Sequence, residues 1–283
     1  MALVKDLTRG IASAASPLLF ALYFKGAPKH SWKEGKVPVT ISFDYDFKED
    51  EQAIPALLEL FGSYGFPASH ACRGDLVQKN PSAYAKLVDA NHEIINHTQN
   101  HPENFNELSK EEKKREIAAC HDTIKSTLGV EPNGFRTPHF GKLHSPDVYE
   151  ALEELGYLYS SSTNLTRTKS FGVPYYPSKK DFLRPGEPSY KVLELSVMSC
   201  PEHYFPVFDS WHCFENPGAH SKPGRFRKVF ELAVQLALKH SLYLNTYFDP
   251  RHVAGNKDFA ASLDLLRNSR LRVVRSCDIC PEF

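Results

Sequence analysis

Residues 37–46 read VPVTISFDYD, and residues 51–65 read EQAIPALLELFGSYG. The first run alternates, is rich in β-branched residues and ends in two carboxylates, Asp44 and Asp46. It reads as a strand that delivers acids to its C-terminal end. The second run has apolar residues at helical spacing and stops at Gly65, as a helix closed by glycine does. A strand followed at once by a helix is the first half of a parallel βαβ unit, and the pattern repeats outward from here.

FPASHACR (66–73) reads as a second strand, and NPSAYAKLVDANH (80–92) as a helix opened by an Asn-Pro pair. EIINHT (93–98) is a third strand running into histidines. SKEEKKREIAACHDTIKSTLG (109–129) is a long helix with Ser109 as N-cap, Glu112 completing a capping box and Gly129 at its end. PNGFRTPHF (132–140) is a strand and its exit loop, SPDVYEALEELGY (145–157) a helix, and LYSSS (158–162) a strand. From about 163 to 224 proline, glycine and aromatics become dense, as in long rim loops over a site, with one strand, LELSVMSC (193–200), among them. GRFRKVFELAVQLALKH (224–240) is a helix, SLYLNTYFDP (241–250) a strand, NKDFAASLDLLRNS (256–269) a helix and RLRVVRSCDI (270–279) a last strand. The alternation predicts an α/β fold with parallel strands. In such folds function gathers at the C-terminal strand ends, and Asp44, Asp46, His97 and Arg136 all fall there.

The chain has 283 residues, which suits one large α/β barrel. Hydrophobic residues make up 41% and aromatics 12%, enough for a sizeable core. Lys+Arg and Asp+Glu are both 34, so no net charge attracts nucleic acid, and no nucleic-acid-binding motif is present. The six cysteines are scattered. Only Cys277 and Cys280 (CDIC) are close, a weak zinc or redox signal, and the scatter suits a reducing compartment. We divide the chain into an N-terminal apolar and basic segment, 1–35, and a catalytic domain, 36–283. Within the former, IASAASPLLFALYF (11–24) is too short for an ordinary membrane span and lacks a clear cleavage site for a signal peptide. It reads as a helix packed on the domain, as an interfacial helix with Lys5, Arg9 and Lys25 at its edges, or, ranked below these two, as the core of a signal peptide.

The chemistry begins at NHTQNH, residues 96–101. Two histidines four apart, His97 and His101, can share one metal, on a helix or on a turn after a strand. With Asp46 as third ligand they make a two-His-one-carboxylate site that leaves positions for water and substrate. Asp44 can then face the water as general base, with Arg136 holding it through a charge-assisted bond. Zinc suits the donor set, with Co²⁺, Ni²⁺ and Fe²⁺ as alternatives.

SFDYD, HTQNH and FRTPHF, in this order, resemble the NodB-type polysaccharide deacetylases, carbohydrate esterase family 4, over roughly residues 38–275. The resemblance implies a distorted (β/α) barrel of about seven parallel strands with long rim loops. It also implies metal-dependent removal of an N-acetyl group from a sugar. Asp44 matches the family's base, Asp46, His97 and His101 its metal ligands, Thr98 the hydroxyl residue between the histidines, and Arg136 the residue that orients the base. The backbone N–H of His139 matches an oxyanion-hole donor. One departure stands out: where the family carries a histidine as general acid, this chain has LNTYFDPRH, with Asp249 at that place and His252 three residues later. Trp211, Tyr175 and Tyr176 are candidates for stacking on sugar rings. Asp209 loosely matches a region that supports the arginine. His70, His139, His203 and His212 have no assigned side-chain role.

The expected function is removal of an N-acyl group from an amino sugar in a polymeric or lipid-linked glycan. The expected place is the cytoplasm, at the inner face of the membrane. Two alternatives stay open: a carbohydrate-binding relative with impaired catalysis, and an amidohydrolase of a small non-sugar amide.

Overall fold

A computed structural model describes residues 2–140 and 145–283, with side chains from residue 13 onward, so Lys5 and Arg9 lie outside the described side chains. In chain order the regular elements are α1 (Ala2–Tyr23), β1 (Val37–Tyr45), α2 (Lys48–Gln52), α3 (Ile54–Tyr64), β2 (Ser69–Cys72), α4 (Gly74–Lys79) and α5 (Pro81–Asp89). There follow β3 (Glu93–Asn96), α6 (Lys110–Leu128), β4 (Gly134–Phe135), α7 (Pro146–Glu154), β5 (Tyr159–Ser160) and β6 (Leu193–Glu194). The last are α8 (Arg225–His240), β7 (Leu244–Phe248), α9 (Pro250–Val253), α10 (Lys257–Leu263) and β8 (Leu271–Val273).

Every strand pairing is parallel, in the order β6-β5-β4-β3-β2-β1-β7, with β8 also on β1. Val39 pairs with both Leu244 of β7 and Val273 of β8, so these two strands lie on opposite edges of β1. All nine residues of β1 are buried, as expected of a parallel strand covered on both faces. The sheet, seven strands along this path with β8 as an eighth on β1, curls into a distorted barrel. LELSVMSC, read as a strand, forms a ladder only at β6. Beyond it the chain crosses toward β7, where the Met198 N–H donates to the Asn245 carbonyl at 2.7 Å and Asn245 Nδ2 donates to the Leu195 carbonyl at 2.8 Å. These bonds bridge the two ends of the sheet.

The helices open and close as the sequence predicts. Ser109 and Glu112 form a reciprocal capping box on α6, and Gly65 and Gly129 take left-handed φ of 66° and 69° at the ends of α3 and α6. Helices α4 and α9 are additional, each a short turn immediately after a strand-end polar residue. Gly134 has a steric reason: a Cβ there would sit 2.0 Å from the Tyr159 ring, whose hydroxyl donates to Glu93 at 2.7 Å.

The second half of α1 packs on the domain. Phe20 and Phe24 are buried in the same apolar core as β1, and Phe24 stacks on His240 at 4.1 Å. Ser16 Oγ donates to the Pro201 carbonyl (2.8 Å) and Tyr23 Oη to that of Leu165 (2.9 Å). Among the described residues no helix is long and apolar enough to cross a membrane.

Candidate active site

A cavity of about 720 Å³ opens at the C-terminal ends of the strands. Strand β1 presents Asp44, and its exit presents Asp46. Alternation would put both on one side, and both line the cavity. His97 follows β3, Arg136 follows β4 and Asp249 follows β7. The strand-end prediction thus converges in space.

The turn 96–101 is built by its own polar side chains. Asn96 Oδ1 accepts from the Thr98 N–H at 2.8 Å, and Thr98 Oγ1 accepts from the His101 N–H at 3.1 Å. Thr98 and His101 take left-handed φ of 64° and 53°, and His139 takes 51°. Left-handed backbone costs a non-glycine residue energy, and its concentration here marks a site held for its geometry. The result brings the two imidazoles together around one carboxylate oxygen: Asp46 Oδ1 lies 3.0 Å from His97 Nε2 and 3.2 Å from His101 Nε2.

The protons follow from the partners. His97 Nδ1 faces the Arg136 carbonyl at 2.9 Å. A carbonyl only accepts, so Nδ1 carries the hydrogen; the Asp46 carboxylate also only accepts, so Nε2 faces it as an N–H donor, or through its lone pair once a cation lies between them. The buried His101 Nε2 makes no hydrogen bond. Two ring nitrogens facing a carboxylate oxygen need positive charge among them. Burial pushes the Asp46 carboxyl up, but His101 and His97 outweigh it and hold it well below the usual range. Burial likewise opposes charge on His97, yet Asp46 and Asp44 raise its pKa. The three donor atoms lie within 4.8 Å of one another and fit a divalent cation, with the His97 Nδ1–H anchored as outer-sphere partners anchor metal-bound imidazoles.

Asp44 has the opposite environment. Burial is the largest influence and pushes its carboxyl up, while Arg136 and His97 pull it back. Arg136 is fully buried. Its Nη1 donates to Asp44 at 3.1 Å, and its Nη2 donates to Ser42 Oγ (3.0 Å) and Ser161 Oγ (3.1 Å). The guanidinium lies 4.8 Å from the Tyr247 ring centre. Asp209 makes no direct contact with Arg136 among the bonds described. It accepts from Tyr247 Oη at 2.8 Å and so supports the ring that covers the arginine. Burial pushes the Asp209 carboxyl up to about 6.

Asp249 lines the cavity. Its Oδ2 accepts from Ser210 Oγ at 2.7 Å, and its backbone N–H donates to the same hydroxyl at 2.7 Å. His252 does not line the cavity. Its Nδ1 lies 3.3 Å from Asp249 and its Nε2 3.3 Å from Glu215, so it stands behind Asp249. His139 lines the cavity, its ring 4.6 Å from that of His101. Trp211 lines it too, half exposed at the rim, whereas Tyr175 and Tyr176 do not. Tyr175 is buried and donates to the Phe182 carbonyl at 2.9 Å, which makes it core.

Several residues escape sequence reading. Arg73, after β2, lines the cavity, donates to the Asp46 carbonyl at 2.6 Å and grips Asp75. Asp50 accepts from the Asp46 and Phe47 N–H groups and from Arg251, tying the exit of β1 to α9. The acidic run 49–51 after β1 was the only available signal.

Residues 33–160 match the family model for polysaccharide deacetylase. A candidate polysaccharide deacetylase from Mycobacterium smegmatis is 19% identical, with 90% of this chain and 93% of that one covered at a TM-score of 0.72. PuuE allantoinase is 15% identical, with 91% and 94% covered at 0.70. A carbohydrate esterase family 4 pseudoenzyme from Bacillus anthracis is 14% identical, with 87% and 66% covered at 0.53. At these identities the likenesses establish the fold. The family match runs over β1 to β5, the part of the chain that carries Asp44, Asp46, His97, His101 and Arg136, and there the chain is similar to the polysaccharide deacetylases.

Proposed function

We propose that the protein is a metal-dependent N-deacetylase of an amino sugar in a polymeric or lipid-linked glycan. One observation carries this reading: a three-donor cluster, Asp46, His97 and His101, shares one cavity wall with Asp44, a buried carboxylate locked by Arg136. The cavity volume falls within the usual range for small-molecule sites.

Asp46, His97 and His101 would hold the cation, zinc by preference. When bound, it supplies a Lewis acid and makes a coordinated water acidic near neutral pH. Asp44 takes the proton from the attacking water. Arg136 fixes the carboxylate in place and offsets its burial. The His139 backbone N–H donates to the oxygen that gains charge as the amide carbon becomes tetrahedral. Asp249 is the cavity carboxyl available to the leaving amine, with His252 as its positioning partner. Trp211 offers a face to the sugar ring.

The test is release of acetate from N-acetylglucosamine oligomers before and after chelation and after reloading with Zn²⁺. The proposal requires release that vanishes on chelation and returns on reloading. A second reading, a sugar-binding relative with impaired catalysis, is favoured by Asp249, whose carboxylate is already engaged by Ser210 and Arg251. Metal bound without release from any acylated sugar would select it. A membrane-face setting is supported by Leu18 and Leu22, exposed on α1. If detergent-free fractionation left both wild type and a Leu18→Ser/Leu22→Ser variant fully soluble, that setting would be abandoned.

A further inference from the structure

A second group of metal-type donors lies outside the site already described, in the rim segment 199–224. It comprises Cys200, His203, His212 and His220, whose ligand atoms all lie within 4.8 Å of one another. Cys200 Sγ is 3.4 Å from His203 Nδ1 and 3.3 Å from His220 Nε2, and His203 Nδ1 is 3.0 Å from His212 Nε2. A tetrahedral zinc centre with ordinary Zn–N and Zn–S bonds has donor–donor edges of about 3.3–3.6 Å. Three of the six edges, at 3.0, 3.3 and 3.4 Å, are close to those of that tetrahedron, and the others are within 4.8 Å.

The surroundings fit the same purpose. Cys200 and His220 are fully buried, and His203 nearly so. His220 Nδ1 lies 3.4 Å from Glu202 Oε2. The two atoms are within ion-pair distance without a hydrogen bond, and a carboxylate there favours the hydrogen on Nδ1, which leaves Nε2 for a cation. Glu202 is itself held by Arg225 of α8 and by Ser13 Oγ of α1 at 3.2 Å. Backbone bonds then set the four donors: His203 N–H to the Cys200 carbonyl, Ala219 N–H to His212, and His220 N–H to Cys213.

We propose that Cys200, His203, His212 and His220 form a tetrahedral site for a zinc-type divalent cation, separate from the Asp46, His97 and His101 cluster. On binding, the Cys200 S–H bond breaks, its proton leaves to solvent, and the thiolate bonds the cation together with three neutral imidazoles. The role is structural. Between β6 and α8 the chain has little regular structure, yet it supplies Asp209, Ser210, Trp211 and His212 to the cavity and to Asp249. A cation joining residues 200, 203, 212 and 220 staples the segment 199–224, whose regular structure among the described residues is a helical turn at Trp211–Glu215 and a single bridge between Ser199 and Val207.

The test uses the full chain loaded with Co²⁺ or Zn²⁺ and dialysed. In a His97→Ala/His101→Ala variant about one equivalent of metal should remain, and Co²⁺-loaded protein should keep thiolate-to-cobalt charge-transfer absorption. Cys200→Ser should abolish that absorption. Should Cys200→Ser fail to fold, the zinc-edge X-ray absorption of the His97→Ala/His101→Ala protein decides, with one sulfur neighbour expected beside nitrogens. Complete loss of metal from the His97→Ala/His101→Ala variant, a wild type without thiolate-to-cobalt absorption, or a zinc shell without sulfur would overturn the proposal. The four side chains would then be held by hydrogen bonds alone.

Discussion

Asp44 and Asp46 are two residues apart, one in β1 and one at its exit, yet their surroundings push them in opposite directions. Burial raises Asp44, and paired imidazoles hold Asp46 well below the usual range. Carboxylates separated in this way take different tasks, one able to accept a proton and one permanently charged. The arrangement depends on Arg136, which is buried and donates to Asp44, Ser42 and Ser161. Arg136→Ala would leave the Asp44 carboxylate buried and unpaired. We expect it to lower stability by about 3–5 kcal/mol, read from urea denaturation. A loss below about 1 kcal/mol would mean that the pair is solvated and that Arg136 does not position the base.

At the scale of elements, a buried chain links β1, β2 and the residue before β3. Tyr45 Oη lies 3.0 Å from His70 Nδ1, and His70 Nε2 lies 2.9 Å from His92 Nδ1. At the His70–His92 contact one nitrogen must donate and the other accept, so the two imidazoles cannot both be protonated. Burial lowers His92 to about 4. A histidine depressed in the folded state stabilises the protein above its unfolded pKa, and that stability is lost as pH falls toward the folded value. Stability should therefore drop by up to about 3 kcal/mol between roughly pH 6.5 and pH 4. His92→Gln should flatten that part of the urea-midpoint profile, and an unchanged slope would show that other groups carry it. Elements also explain what could be read beforehand. Asp44, Asp46, His97, His101 and Arg136 were legible because each sits at a strand end within a short local motif. Tyr247, Arg73 and the Cys200 cluster were not. The partners of Tyr247 and Arg73 are far away in sequence, and the cluster at 200, 203, 212 and 220 is spread over an irregular rim segment with no repeating period.

At the scale of the whole molecule, the barrel carries an extra layer, α1, whose inner face belongs to the common core. The sequence left a packed helix and an interfacial helix equally open, because a fourteen-residue apolar run suits both. Packing decides for Phe20 and Phe24. Phe20→Ala should cost about 3–5 kcal/mol of stability in a denaturant titration, as for other buried aromatics. A helix that met only a membrane would lose nothing. The same layer reaches the rim through Ser13 and Ser16, so its stability and that of segment 199–224 are linked.

One cavity unites Asp46, His97 and His101, proposed to hold a metal, with Asp44, proposed as the base. The most direct measurement is acetate release from an N-acetylated glycan by Zn²⁺-loaded wild type and by Zn²⁺-loaded Asp44→Asn, with metal content determined on the same samples. Equal metal in both is expected, with a fall in kcat of about 10²–10⁴-fold in Asp44→Asn. Equal metal with equal rates, or no release by the loaded wild type, would contradict these assignments.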